Sequence, residues 1–320
     1  MKQQLFEARH QTDWQQLEAI LDSKKAKPDR RFPQLFRHLC HQLALAKHRR
    51  YSPQLVDYLN ELVTRAHHQF YQHNHRFHFQ WLEFLIWGFP SAIRRNRIFV
   101  YVAMALFLVP GLAMTLACYQ NPEFIYSVMD HGDVSMMESM YDPANGKLGR
   151  ERDSATDIMM FGHYIQNNIG IAFRTFAGGI LFGIGSLFFL VFNGLIIGSV
   201  TGHLTQLGFG STFYGFVAGH GAFELTAIVF SGAAGLKLGY AMIRPGQLRL
   251  VHALREAGRD SVVIIYGSVL MLVIAAFIEA FWSSTTSLPA LLKYTVGLVF
   301  WTLVISYFIF SGRRYGPQSY

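Results

Sequence analysis

Charge is scarce in this chain. Only 15% of its 320 residues are Asp, Glu, Lys or Arg, against about 25% in a soluble domain. Too little polar material is present to clothe a globule of this length in water. Cysteine is nearly absent as well: Cys40 and Cys118 cannot form a disulfide framework. The topology derived below also puts them on opposite sides of a membrane, where no bridge can close. The opening MKQQLFEARHQTDW is polar and charged, so no cleavable signal peptide is expected and the first apolar segment is expected to act as the insertion signal. No HExxH pair occurs, which argues against a metalloprotease. The basic N-terminal region carries no nucleic-acid-binding motif, and no nucleic-acid partner is expected.

What remains is apolar and segregated. Half of the residues are hydrophobic and 28 are Phe. Five stretches are long enough to cross roughly 30 Å of hydrocarbon: 99–118, 169–192, 212–239, 262–282 and 291–311. A sixth, 194–208, is apolar but short. Arg94, Arg95 and Arg97 precede the first stretch. Arg244, Arg249, Arg255 and Arg259 lie between the fourth and fifth of the six segments, and Arg313 and Arg314 follow the last. The 119–168 segment is acidic instead, with Glu123, Asp130, Asp133, Glu138, Asp142, Glu151, Asp153 and Asp157 against Lys147, Arg150 and Arg152. The positive-inside rule then makes the N-terminal region, the 240–260 loop and the C-terminus cytoplasmic, and 119–168 external. Returning from outside at 168 to inside at 240 takes an odd number of crossings, so 194–208 must also span. The fold expected is an all-α, polytopic membrane bundle of about six spans (residues 94–320), with a cytoplasmic or interfacial basic helical region over residues 1–93.

The first 93 residues have helical spacing over 34–47 and 53–72, broken by Pro28, Pro33 and Pro53, with Ser52 placed to cap the helix that Pro53 opens. Nine of the 14 histidines lie here: His10, His38, His41, His48, His67, His68, His73, His75 and His78. Without Cys or carboxylate partners at ligand spacing, they read as a solvated basic face near anionic headgroups rather than a metal site. The aromatic 77–90 stretch suits a helix lying in the interface, and 244–260 reads as an amphipathic helix on the inner leaflet.

Two patterns in the membrane segments bear on function. Small residues recur at four-residue spacing: Gly179 and Gly183; Gly194, Gly198 and Gly202; Gly215 and Gly219; Gly235 and Gly239. Such rows let helix backbones approach closely in lipid, within one chain or between copies. A homo-oligomer, with a dimer favoured, is expected on that ground. The second pattern is a short set of polar intramembrane residues: His220, Glu224, Glu279, Arg174 and His203, with Asn167, Asn168 and Asn193 at span ends. Lys237 and Lys293 lie near span ends, where they are expected to snorkel. His220 and Glu224 are four apart on one helix face, and the topology places Arg174, His203 and Glu279 at comparable depth. The pattern has four readings: an interhelical hydrogen-bond network, an ion or proton pathway, a metal-dependent catalytic site with His220, Glu224 and Glu279 as candidate ligands, and a site for a bound lipid or peptide.

HGAFELTAI (220–228), SGAAGLKLG (231–239), RPGQLR (244–249), NNIGIAFRTFAGGILFGIG (167–185), LVFNGLIIG (190–198) and AAFIEAF (275–281) resemble the stage II sporulation protein M family of bacterial and archaeal membrane proteins. FEARHQTDWQQLEAIL (6–21) and YLNELVTRAHHQFY (58–71) resemble its longer members. The resemblance implies a membrane scaffold or assembly component working with other cell-envelope proteins in the cytoplasmic membrane of a bacterium or archaeon; it favours a non-enzymatic role without deciding the point. A transporter or channel using the His/Glu site is the alternative, and an intramembrane metal-dependent enzyme the third. No cofactor is expected beyond a bound divalent cation.

Overall fold

The computed structural model describes residues 3–22, 32–72, 81–145, 154–285 and 288–313. Every regular element among them is helical, and no strand occurs among the described residues. The chain forms two compact units, residues 1–81 and 82–320.

The first unit is three helices, α1 (Gln3–Asp22), α2 (Phe32–His48) and α3 (Pro53–Gln72). Each turns one apolar stripe inward: Phe6, Trp14 and Leu17; Leu39, Leu43 and Ala46; Leu55, Leu59, Leu62 and Ala66. Ser52 caps α3, its hydroxyl accepting from the Leu55 amide at 3.4 Å, as the Ser-Pro pair implies. Inside this core Gln42 accepts from Trp14 Nε1 at 2.6 Å and bonds His10 Nδ1 at 3.1 Å. His10 is therefore a core-edge residue, packed on the Phe6 ring at 4.9 Å, rather than part of a solvated basic face. His73, His75 and His78 lie outside the described residues.

The second unit begins earlier than the charge pattern suggests. Residues 82–93 were expected with the N-terminal region, yet a π-helical turn (Phe84–Gly88) and α4 (Phe89–Arg95) belong to this bundle. Phe89 is only 2% exposed and meets Phe230 and Phe308 edge-on at 6.1 and 5.2 Å. A π turn leaves carbonyls off the regular helical ladder. Tyr307 donates to the Leu85 carbonyl, and Ser311 Oγ donates to that of Ile86 at 2.6 Å.

The long helices follow: α5 (Arg97–Gln120), a short α6 (His131–Tyr141), α7 (Ser154–Ala177), α8 (Ile184–Gln206), α9 (Gly210–Ile243), α10 (Leu250–Ile278, continued as a π turn over Glu279–Ser283) and α11 (Ala290–Phe310). Five of them, α5, α8, α9, α10 and α11, are long and apolar enough to cross a membrane among the described residues. Their outer faces carry exposed side chains such as Leu112 at 68% and Leu298 at 69%, which only hydrocarbon can cover cheaply. The chain is a membrane protein.

The helices are cut differently from the hydropathy pattern. The expected 169–192 span does not exist as one helix. It breaks at residues 178–183, where Phe182 and Gly183 take φ of 52° and 83°, a conformation that glycine tolerates and side chains resist. The pieces regroup into α7, with 24 residues, and α8, with 23, the latter absorbing the short 194–208 segment. At about 1.5 Å per residue the 24 residues of α7 rise about 36 Å, enough to cross the hydrocarbon, although the helix carries Asp157, His163 and Arg174. Five helices, against the six or so spans expected, are long and apolar enough to cross a membrane among the described residues, and α7 is a sixth long helix of more polar composition. The surface helix expected over 244–260 is likewise not separate, because α10 runs unbroken from Leu250. Asp260 inside it is paired to Lys237 at 2.7 Å and Arg95 at 2.8 Å, so Lys237 bonds across helices instead of snorkelling.

The glycine rows are consumed inside the chain. Gly194, Gly198 and Gly202 on α8 face the backbone carbonyls of Phe107, Gly111 and Thr115 on α5, and a Cβ at any of the three would overlap those oxygens. Gly179 lies against the Gly235 carbonyl and Gly239 against the Gly183 amide, each too close to admit a Cβ, while Gly219 receives the Trp282 ring. Gly215 is more open: a Cβ there would meet only Lys293, at 3.8 Å. These contacts lock helices together at backbone distance.

Candidate functional site

His220 and Glu224 sit one turn apart on α9. The π turn that ends α10 presents Glu279 and Ser283 toward the same place. A widened turn of this kind re-aims side chains without breaking the helix, and it recurs at functional sites. The potential ligand atoms of His220, Glu224 and Glu279 all lie within 4.8 Å of one another. His220 is buried, and its Nδ1 bonds Ser283 Oγ at 3.1 Å. On its other side Nε2 stands 3.7 Å from Glu224 Oε2, beyond hydrogen-bond reach. The Phe216 ring meets the imidazole edge-on at 5.4 Å.

Lys293 on α11 closes the arrangement. It is 1% exposed and donates its ammonium to the Ser283 carbonyl at 2.9 Å. A lysine expected to reach for the interface is instead held inside, because the end of a helix offers carbonyls that carry partial negative charge. Ser283 thus serves two partners, the imidazole through its hydroxyl and the ammonium through its carbonyl.

Helix α6 covers this end of the bundle. Tyr141 is buried against Phe213 and Phe216, and its carbonyl accepts from Thr212 Oγ1. Burial pushes the Tyr141 phenol well above its ordinary range, and the nearby charges of Glu279 and Glu224, with Tyr164, push it further.

The other residues expected to join the site have partners of their own. His203 Nε2 bonds Glu138 Oε1 on α6 at 2.6 Å, which pins that short helix to α8. Arg174 lies in the last turn of α7, at the opposite end of the bundle, where its Nε donates to the Gly170 carbonyl at 3.1 Å. Breaking the expected 169–192 span at 178 moved it there. Asn167 donates to Asn168 Oδ1 at 3.1 Å, and Asn193 donates to the Phe189 carbonyl at 2.7 Å. Asn168 is buried, and its Nδ2 has no partner among the described residues. Ser283, Lys293 and Tyr141 were not singled out from sequence as members of the site. Ser283 stands four residues after Glu279, a spacing that could have found it.

The family model for stage II sporulation protein M matches residues 98–284, more than half of the chain. The chain belongs to this family. A second family model, a domain of unknown function (DUF8413), matches residues 4–72, the span of α1 to α3. An uncharacterized protein of the archaeon Methanocaldococcus jannaschii, MJ0793, is similar at 29% identity over 123 residues, which is 38% of this chain and 69% of that protein. No solved structure matches. The stage II sporulation protein M match takes in His220, Glu224, Glu279 and Ser283 and stops short of α11. Lys293 therefore comes from a helix outside the matched region.

Proposed function

We propose that the protein binds a cation within the membrane at His220, Glu224 and Glu279 and passes it across, as a transporter or channel. The observation that carries this reading is the convergence of one imidazole and two carboxylates, with ligand atoms within 4.8 Å, on helices long enough to span the bilayer. Ionisable groups at such depth are costly unless they are paired or do work. The charge asymmetry of the sequence supports cytoplasmic termini in a bacterial or archaeal cytoplasmic membrane, with α6 outside. In that orientation the cluster lies toward the external side of the bundle, near α6, and the ion pairs of Asp260 with Lys237 and Arg95 lie toward the cytoplasmic side. Reconstitution in proteoliposomes tests the reading with proton- and metal-sensitive dyes. Wild-type protein should dissipate an imposed gradient at a rate that Glu224→Gln lowers at least tenfold; equal rates, or none above empty liposomes, would refute it.

A scaffold for envelope proteins is the second reading. It is favoured by the backbone-level lock between α5 and α8, which makes a stiff platform, and by the scaffold role that the family resemblance implies.

A further inference from the structure

The cation in question can be narrowed by its coordination chemistry. Candidate ligands compete on three counts: donor type, charge and spacing. One imidazole nitrogen and two carboxylate oxygens suit a borderline divalent transition metal such as zinc, manganese, iron or cobalt. Calcium takes six to eight oxygen ligands, and magnesium is bound by oxygen at near-ideal octahedral geometry, so neither gains from an imidazole. Two carboxylates placed directly on the ion match the charge of a dication.

The geometry agrees with the charge. Nitrogen and oxygen ligands at about 2.0–2.1 Å from a tetrahedral metal stand about 3.3–3.4 Å from each other. His220 Nε2 and Glu224 Oε2 are 3.7 Å apart, too far to bond each other and near the separation that a shared ion would impose. Glutamate has three rotatable side-chain bonds, so the wider 4.8 Å spread of the set closes by rotamer adjustment alone. Ser283 completes the arrangement. With Nδ1–H donating to its hydroxyl across 3.1 Å, the imidazole turns the Nε2 lone pair toward the carboxylates. This is the outer-shell hydrogen bond that metal-bound histidines characteristically make.

We infer that His220, Glu224 and Glu279 form a binding site for one divalent transition-metal ion, with Ser283 as the residue that orients the imidazole. The inference rests on the cation reading of the same cluster and adds the class of ion. Neither the family match nor the relative specifies a metal.

The test uses the full chain, purified in detergent without a histidine tag, stripped with chelator and titrated with Co²⁺. Its visible absorption reports nitrogen and oxygen ligation, and elemental analysis counts the ions. The N-terminal histidines give a background common to every variant, so the reading is the difference from wild type. Glu224→Gln and Glu279→Gln should each lose one equivalent of Co²⁺ together with its absorption band. Ser283→Ala should keep the stoichiometry and bind ten- to a hundredfold more weakly. If a glutamine variant fails to fold, as judged by elution and melting, Ser283→Ala carries the test. Folded variants with wild-type stoichiometry and affinity would overturn the inference. Loss of the ion in the variants, but no flux in liposomes, would leave the metal site standing and remove the transport reading. Flux that depends on Glu224 without any difference in bound metal would do the reverse and point to protons.

Discussion

His10 shows how a single side chain can depart from what its composition suggests. It lies in a histidine-rich, basic stretch, yet it bonds Gln42 and packs on Phe6. Burial, with Arg9 adding to it, holds its pKa below the ordinary histidine value. A depressed histidine pKa means that the unfolded chain binds the proton more readily. Stability is then fully present above about pH 6.5 and falls as the pH drops below it. Hydrogen exchange of α1 and α2 in the full chain, corrected for intrinsic rates, should show less protection at pH 5 than at pH 7.5, and His10→Gln should flatten the difference. An unchanged pH dependence in that variant would show that His10 does not control it. Tyr58 reports the same core from the other side: burial and its hydrogen bond to Glu18 push it up to about 12, so it stays protonated throughout this range. At the site itself, His220 and Glu224 were legible because a four-residue spacing on a helix is a local fact. Glu279 was legible as an isolated carboxylate in apolar sequence. Ser283 and Lys293 were not, since their roles depend on a π turn and on a contact between two separate helices.

At the scale of elements, hydropathy located the apolar material but not the joints in it. Residues 169–192 are apolar throughout, so a sliding average passes over the turn at 178–183. Glycine density marks it, because Gly178, Gly179, Gly183 and Gly185 all make backbone-level approaches there. The boundary at residue 82 was missed for a related reason. The aromatic stretch before Pro90 has the composition of an interfacial helix, and only tertiary packing shows Phe89 in the bundle core. The α5–α8 contact yields the sharpest element-scale prediction. Gly198→Leu would drive a side chain into the Gly111 carbonyl, and overpacking of that kind costs about 1–3 kcal/mol. The control is Gly258→Leu, at a helical position with nothing within 4 Å of an added Cβ. Gly210 would be a poorer control, because a Cβ there would meet the Tyr214 ring at 3.2 Å. It opens α9, and the left-handed residue nearby is Gly208. Melting temperature in detergent should fall for Gly198→Leu and hold for Gly258→Leu; equal values would remove the packing argument.

For the whole molecule, the fold class was the most legible property, because long apolar helices leave a compositional trace that needs no contact information. The orientation is a further proposal with its own check. Met140 on α6 and Leu250 at the start of α10 are both exposed. In a chain freed of Cys40 and Cys118, Met140→Cys should react with an impermeant thiol reagent in intact cells, and Leu250→Cys should react only after lysis. Labelling of both in intact cells would contradict the six-helix path. The glycine rows bear on assembly at this scale too. Because Gly194, Gly198, Gly202, Gly235 and Gly239 are already buried against helices of the same chain, a dimer, where one forms, must use another surface.

The central claim is that function sits at the His220, Glu224 and Glu279 cluster. Its most direct test is complementation of a deletion strain by Glu224→Gln and His220→Ala, each first shown to reach the membrane with wild-type thermal stability. Glutamine keeps the size and hydrogen-bonding capacity of the carboxylate but loses its charge, so a purely structural network would tolerate it. The account predicts folded, correctly inserted variants that fail to complement. Folded variants that complement fully would contradict it and leave the scaffold reading in its place.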